Sequence, residues 1–405
     1  MTSIAHLLGL LLLAYLGTFL VGNRSIRGFG LSSSVEYVVL GFFLGPVLGI
    51  LDRGAIATFD PLTHMAVGWL ALLVGLDYGH NNGIRVRLRS GLLGSAMALG
   101  TFGLLFLVLR ALLPSLTGLS PRENTVLAAG VAIACTETTH HAVRWVVERY
   151  QAEGPLSRLF GEMTDVEDMV PILACAGIFA LNPAPDAPLP PLPSALVSLG
   201  LGVGVGLLTA ALLGREFRLD ESWRLLLGAS LLTIGLSVQT KMSPLTTMFA
   251  MGVTISISSR HRMEIVAMTA PSERAVLLPA LLIAGARLDL TSSTLVPLLA
   301  LLAVSGRLVA KLLCGLGLRA LIPEARTTQP WMGLSLVSAG GLAMSIGLAF
   351  NLRFPGLLGD AVLACAAAAT LLGEFIGPPL LRATLLRNGE IASAATTPPP
   401  LVRQP

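Results

Sequence analysis

Two adjacent carboxylates, Glu167 and Asp168, stand directly before an apolar run of the chain. An ionisable side chain at bilayer depth costs at least about 2.5–3.5 kcal/mol, so such a pair requires compensation. Neighbouring carboxylates repel each other, which favours protonation of one of them unless a cation intervenes. We interpret the pair as a site where protons compete with a metal cation. Glu162 and Asp165 are predicted to lie in the opening turn of the same helix, near the positive end of its dipole.

Two basic side chains, Arg307 and Lys311, lie within a second apolar stretch. They are four residues apart, and residues at this spacing share one face of a helix. Either side chain is a candidate partner for Glu167, and the sequence leaves open which one forms that ion pair. Two purely structural salt bridges to Glu167 and Asp168 are the alternative interpretation.

A third polar group, Thr136-Glu137-Thr138, interrupts an otherwise apolar segment. Threonine hydroxyls bond to their own backbone and loosen a helix, and an interrupted helix exposes carbonyl oxygens that coordinate cations. We therefore expect Thr136 and Glu137 to contribute to a cation site. His140 and His141 follow, but adjacent helical residues point about 100° apart. We interpret these histidines as hydrogen-bonded or pH-sensing groups, with zinc ligation as the alternative.

A matching segment, Ser338-Ala339-Gly340-Gly341, occurs in the second half of the chain. Paired glycines inside a span predict either local unwinding or a close helix approach. If the segment unwinds, carbonyl groups around Ser338 complete the shell of the bound cation. Two interrupted segments, one in each half, are typical of transporters built from inverted repeats.

The composition of the chain indicates a membrane protein. Apolar residues make up 54% of the 405 residues and charged residues only 12%. A soluble protein of this length requires a larger charged surface, so we expect the lipid bilayer to be the solvent. No basic cluster is interleaved with aromatic residues, which argues against a nucleic-acid partner. The four cysteines are isolated in apolar runs and are interpreted as small core residues, and no cofactor is predicted beyond the transported ions.

The predicted fold is an all-α polytopic membrane protein. A hydrocarbon core of about 30 Å requires around 20 apolar residues per helix, and the chain contains about thirteen such spans. The predicted spans are residues 4–22, 33–51, 62–78, 89–113, 123–147, 163–182, 194–213, 223–240, 243–259, 275–290, 293–321, 331–350 and 357–381.

The arginines predict the orientation of these spans. If the N-terminus lies outside, alternate connections and the C-terminal tail hold most of the basic residues, as cytoplasmic loops do. We therefore predict an N-out, C-in topology. Residues 1–390 form a single transmembrane unit, with halves at about 33–182 and 223–382 joined by a proline-rich linker at 182–193. Residues 391–405 are small, polar and proline-rich, and are predicted to be disordered.

From about Val35 to Glu390 the chain resembles the monovalent cation:proton antiporter superfamily, in its branch of bacterial-type sodium/proton exchangers. Residues 41–49 (GFFLGPVLG) resemble the early LGxxLGPxxLG helix of that family. Residues 74–77 (VGLD) resemble the end of its VGLE/D helix, and residues 374–381 with 386–390 resemble its last helix and exit.

The resemblance implies roles for the polar residues. Asp168 is the main cation ligand and proton acceptor, and Glu167 stands where the family has Asn or Asp. Thr136-Glu137-Thr138 stands at the broken helix, although the usual proline is missing. Lys311 fits the family's basic residue, and Arg307 is a competing match one turn away. The resemblance also implies a homodimer in which a transport domain slides against a dimerisation domain.

The expected function is secondary antiport of a monovalent cation for protons by alternating access, and not enzymatic catalysis. Na⁺ or Li⁺ is the favoured cation and K⁺ is possible. The expected location is the cytoplasmic membrane of a bacterial-type cell, with multiple spans. Two alternatives remain at this point. One is a sodium-coupled symporter of an organic anion on a similar fold. The other is an intramembrane metalloenzyme built on Glu137, His140 and His141.

Overall fold

The computed structural model describes residues 35–78, 88–183, 188–214, 218–290, 293–321, 326 and 328–391. Within these ranges every regular element is helical. The elements are α1 (Glu36–Phe42) with a π-helical extension (Phe43–Val47), α2 (Arg53–Ala57), α3 (Asp60–Asp77), α4 (Leu88–Leu116), α5 (Pro121–Ala134), α6 (His140–Tyr150), α7 (Pro155–Glu167), α8 (Met169–Leu181), α9 (Pro191–Leu212), α10 (Leu219–Gln239), α11 (Pro244–Ser258), α12 (Arg262–Arg287), α13 (Leu295–Leu321), a 3₁₀ helix (Met332–Leu336), α14 (Gly341–Arg353) and α15 (Leu357–Arg387).

The predicted spans from residue 33 onward each fall on a helix or on an interrupted pair of helices. The predicted span at 4–22 and most of the predicted tail at 391–405 lie outside the described residues. Several helices extend beyond the apolar stretch that hydropathy detects: α12 begins at Arg262 rather than 275, and α15 ends at Arg387 rather than 381.

One prediction about local structure is wrong. Helix α7 begins at Pro155, so Glu162 and Asp165 lie in its interior and not in an opening turn. The helix starts well before the apolar run because its first half is amphipathic, with Leu156 and Phe160 fully buried. Asp168 separates α7 from α8, and its backbone stays in the right-handed helical region, so the two helices are almost continuous.

Five of the described helices are long and apolar enough to cross a bilayer: α4, α9, α12, α13 and α15. Their outward surfaces are apolar as well. On α4, for example, Leu92, Leu99 and Leu107 are 62%, 58% and 65% exposed. Large apolar side chains on an outer surface suit contact with lipid tails rather than with water. The helices are therefore those of a multi-pass membrane protein.

The helices pack into two groups. Helices α1, α3, α9, α10, α11 and α12 pack mainly on one another and form the first group. Helices α4–α8, α13, α14, α15 and the 3₁₀ helix form the second group, which holds the charged residues singled out above. In this second group, α13 approaches the 3₁₀ helix so closely that a Cβ on Gly333 would lie 2.0 Å from the carbonyl oxygen of Lys311.

Two helices of the second group are interrupted. One break lies at the threonines, where it is predicted, and the other lies at the paired glycines, for which the sequence leaves unwinding and close packing open. The chain is non-helical between Ala134 and His140, and again between Leu336 and Gly341. The two breaks meet: the backbone N–H of Thr139 donates to the carbonyl of Ser338 at 3.0 Å. The Thr138 hydroxyl also donates to the carbonyl of Leu336 at 2.9 Å. The fold therefore places four helix ends at one point inside the protein.

Candidate functional site

Arg307 on α13 is buried, with 1% exposure, and binds the carbonyl ends of both interrupted helices. Its guanidinium donates to the carbonyls of Cys135 and Glu137, which follow α5, and to that of Val337, which follows the 3₁₀ helix, at 3.0 and 3.2 Å. Carbonyls at a helix C-terminus lack intrahelical donors and carry the negative end of the helix dipole. The guanidinium of Arg307 therefore supplies both the missing hydrogen-bond donors and a positive charge at these carbonyls.

Glu137 binds the opposite kind of helix end, the N-terminus of α14. Its carboxylate accepts hydrogen bonds from the backbone N–H groups of Gly340 at 2.8 Å and Ala343 at 3.2 Å. The residue at the N-cap of α14 is a glycine, which offers no side-chain acceptor. The buried carboxylate therefore caps α14 from the other break and faces its positive dipole end.

Lys311 lies one turn beyond Arg307 and forms the ion pair with Glu167. Both side chains are fully buried. The ammonium group also donates to the Thr138 hydroxyl at 2.6 Å. Lys311 therefore joins α13, the end of α7 and the break before α6. Thr138 belongs to the Thr136-Glu137-Thr138 motif, but nothing in that motif predicts its contact with Lys311.

Asp168 follows Glu167 and is 6% exposed. One of its carboxylate oxygens lies 3.9 Å from Nδ1 of His140. In the described part of the chain, the other oxygen of Asp168 and the free oxygen of Glu167 are buried and have no hydrogen-bond partner. Two buried carboxyl oxygens on consecutive residues, both without donors in the described ranges, form an arrangement that a proton or a small cation stabilises.

Thr136 and Ser338 are buried close to the meeting point of the breaks. The hydroxyl of Thr136 donates to the carbonyl of Ala132 at 2.7 Å, and that of Ser338 donates to the carbonyl of Gly373 at 3.4 Å. Both hydroxyls therefore bond to helix backbone. Their predicted role as cation ligands remains a prediction.

A more exposed set of ion pairs surrounds the side of the site near α6. His141 contacts Glu273 of α12 at 2.9 Å, and Arg144 contacts Asp165 of α7 at 3.1 Å. The rings of His140 and His141 lie 4.0 Å apart. Among the described residues no group of three or more His, Cys, Asp or Glu side chains is arranged to hold a metal ion.

Comparison with known proteins identifies the fold. No family model matches the chain, and no curated protein matches it. Solved structures do match. One is the sodium proton antiporter MjNhaP1 from Methanocaldococcus jannaschii at pH 8, with a TM-score of 0.67 and 15% identity over 95% of this chain and 99% of that one. A second structure of MjNhaP1, from electron microscopy, has a TM-score of 0.64 and 14% identity over 94% and 96% of the two chains.

The chain therefore has the fold of a sodium/proton antiporter along nearly its whole length. This agrees with the resemblance to the monovalent cation:proton antiporter superfamily that the sequence motifs indicate.

Proposed function

We propose that this protein is a secondary antiporter that exchanges a monovalent cation, preferably Na⁺ or Li⁺, for protons by alternating access. The observation that carries the proposal is the presence of buried carboxylate oxygens on Glu167 and Asp168 that have no hydrogen-bond partner within the described part of the chain. Burying an uncompensated anion is too costly for a resting state, so we infer that a proton or a cation occupies the position at Asp168, whose charge no buried ion pair among the described residues compensates. The antiporter fold supports the same conclusion.

Asp168 is the residue that alternates between a proton and the cation. Lys311 already compensates the charge of Glu167, because the two form a fully buried ion pair. For Asp168, the basic group that the described residues bring within 4 Å is the ring of His140, whose Nδ1 lies 3.9 Å from a carboxylate oxygen. Its charge is therefore the less well compensated of the two, and it gains more from a bound proton or cation.

Oxygen ligands of this kind favour small, hard cations. The carboxylate of Asp168 supplies such a ligand, next in the chain to the free oxygen of Glu167, and this is why Na⁺ and Li⁺ rank before K⁺ in the proposal. In this proposal Glu137 serves mainly as the cap of α14, and Arg307 as the cap of the two carbonyl ends. Both residues hold the crossing of the breaks in place while Asp168 changes its occupant.

In this proposal the two groups of helices move relative to each other during transport. The site residues lie in the second group, which packs on the first through α14 against α3 and α12 and through two polar contacts beside the site. The Tyr78 hydroxyl at the end of α3 donates to the carbonyl of Val166 at 2.9 Å, and His141 contacts Glu273. Breaking and remaking such contacts lets the second group slide against the first. We propose that the first group forms the interface of a homodimer in the cytoplasmic membrane.

A flux measurement in liposomes tests the proposal. The purified protein is reconstituted with an internal pH dye and an acid-inside gradient, and Na⁺, Li⁺, K⁺ and choline chlorides are added in turn. We expect Na⁺ and Li⁺, but not choline, to dissipate the gradient. Asp168→Asn removes the titrating oxygen and abolishes this flux. Asp165→Asn is the matched control, since it makes the same change three residues earlier on a more exposed side chain.

Two results contradict the proposal. One is a gradient that stays intact with every cation, which instead favours a symporter that requires an organic anion. The other is Asp168→Asn protein that exchanges cations for protons as fast as the unchanged protein.

A further inference from the structure

The carboxylate of Glu390, beyond the end of α15, binds the first turn of α7. Its two oxygens accept hydrogen bonds from the backbone N–H groups of Leu156 and Ser157, both at 2.7 Å. The backbone of Glu390 is fixed as well. Its N–H donates to the carbonyl of Leu385, and its carbonyl accepts from the N–H of Glu153, both at 3.0 Å. Glu390 is 7% exposed, so these contacts are shielded from water.

The N-cap residue of α7, Gly154, has no side chain with which to cap the helix, and Pro155 follows at the first helical position. Gly154 has a φ of 172°, an extended conformation open to any residue, so backbone conformation does not require glycine here. Space does: a Cβ on Gly154 would lie 2.2 Å from the carboxylate carbon of Glu390. Glycine at position 154 therefore leaves the space that the Glu390 carboxylate occupies, and the first turn of α7 supplies its N–H donors.

The other end of the same helix carries the proposed cation site. Helix α7 has 13 residues and ends at Glu167, the partner of Lys311, with Asp168 next in the chain. At about 1.5 Å per residue, the capped end and the site are roughly 18 Å apart along one rigid element. Leu156, Phe160 and Met163 pack in a single apolar cluster with Leu381 and Leu385 of α15. A shift of the capped turn is therefore transmitted along the helix.

We propose that Glu390 is a positioning residue for the cation site: its carboxylate anchors α7 so that Glu167 and Asp168 are presented correctly to Lys311 and to the ion. The proposal rests on the proposed function for the role of Asp168, and on the contacts of Glu390 alone for the anchoring. A carboxylate at a helix N-terminus satisfies orphan N–H groups and opposes the helix dipole, so its loss loosens the helix from that end.

Substitutions from both sides of the contact test the proposal. Glu390→Ala removes the carboxylate, Gly154→Ala displaces it with a methyl group, and Glu390→Gln keeps one acceptor oxygen. Glu153→Ala and Gly161→Ala are the matched controls, because Glu153 is exposed and a Cβ on Gly161 has open space around it. The double variant Gly154→Ala/Glu390→Ala shows whether both changes act through the same contact.

The first readout is backbone hydrogen exchange of the detergent-purified protein, which does not depend on transport. Loss of a helix cap corresponds to about a tenfold faster exchange, so Glu390→Ala and Gly154→Ala are expected to accelerate exchange at residues 156–160 by that factor. We also expect faster exchange at residues 163–168. The double variant should exchange at the same rate as either single variant. Unchanged exchange at residues 163–168 would overturn the inference even if residues 156–160 loosen.

The second readout is the split between KM and maximal rate for Na⁺ in liposomes, normalised to folded protein. A positioning role raises the apparent KM several-fold in Glu390→Ala and less in Glu390→Gln. A merely structural role lowers the amount of folded protein and leaves KM unchanged, which contradicts the inference. If the unchanged protein shows no cation-dependent flux, the proposed function fails, while hydrogen exchange at residues 163–168 still decides the inference about Glu390.

Discussion

Replacing Lys311 with methionine tests the electrostatic design of the site most sharply. Lys311 and Glu167 are both fully buried, and Lys311 also donates to Thr138. Removing one member of a buried pair leaves the other charge uncompensated and costs about 3–5 kcal/mol. We therefore expect Lys311→Met to lower the folded-to-unfolded ratio by about a thousandfold at the middle of this range.

The assay is a denaturant titration of the detergent-purified protein that compares free energies of unfolding. Lys241→Met is the matched control, because it is the same substitution on the exposed lysine that precedes α11, and it is expected to change stability by less than about 0.5 kcal/mol. Adding Glu167→Gln to Lys311→Met removes the unpaired charge. The double variant should therefore recover at least about 2 kcal/mol, since a neutral amide costs less to bury.

Two results refute this reasoning. The first is Lys311→Met protein as stable as the Lys241→Met control, which means that the buried carboxylate of Glu167 needs no cationic partner. The second is a double variant less stable than Lys311→Met, which means that the ammonium group does not act through Glu167.

Three further predictions concern the framework of the site, each read out as the free energy of unfolding in detergent. Arg307→Met leaves three buried carbonyls without their donor and costs about 3 kcal/mol or more, and equal stability contradicts its capping role. Glu137→Gln keeps an acceptor but removes the charge facing α14, which costs about 0.5–2 kcal/mol, and a more stable protein would exclude the cap. Gly333→Ala forces a methyl group against α13 and costs about 1–3 kcal/mol, whereas the control Gly317→Ala, in open space, is neutral or stabilising.

The helical spans within the described residues and the break at Thr136-Glu137-Thr138 follow from the sequence because each depends on local properties. At Gly340-Gly341 the sequence leaves unwinding and close packing open. Apolar length predicts a membrane helix, and Thr136-Glu137-Thr138 and Gly340-Gly341 weaken helical hydrogen bonding in place. The start of α7 was not predictable in this way. Hydropathy does not detect the amphipathic turns before the apolar run, and this is why the sequence places Glu162 and Asp165 in an opening turn although they lie in the interior of α7.

Which partner each charged side chain binds depends on tertiary contacts. Arg307 and Lys311 share a helix face, and sequence spacing alone does not decide which one reaches Glu167. The packing of α13 on the two breaks decides it, since it brings Arg307 to the carbonyl ends and Lys311 to the carboxylate. The cap formed by Glu390 joins residues 233 and 234 positions apart in the chain, and no local pattern indicates such a contact.

Proton release on cation binding tests the central claim most directly. The purified protein is placed in weakly buffered detergent solution with a pH indicator, and sodium chloride or choline chloride is added. Competition at Asp168 predicts that Na⁺ displaces protons into solution, that choline does not, and that Asp168→Asn protein releases none. Sodium binding without proton release, or equal release from Asp168→Asn protein, would contradict the account.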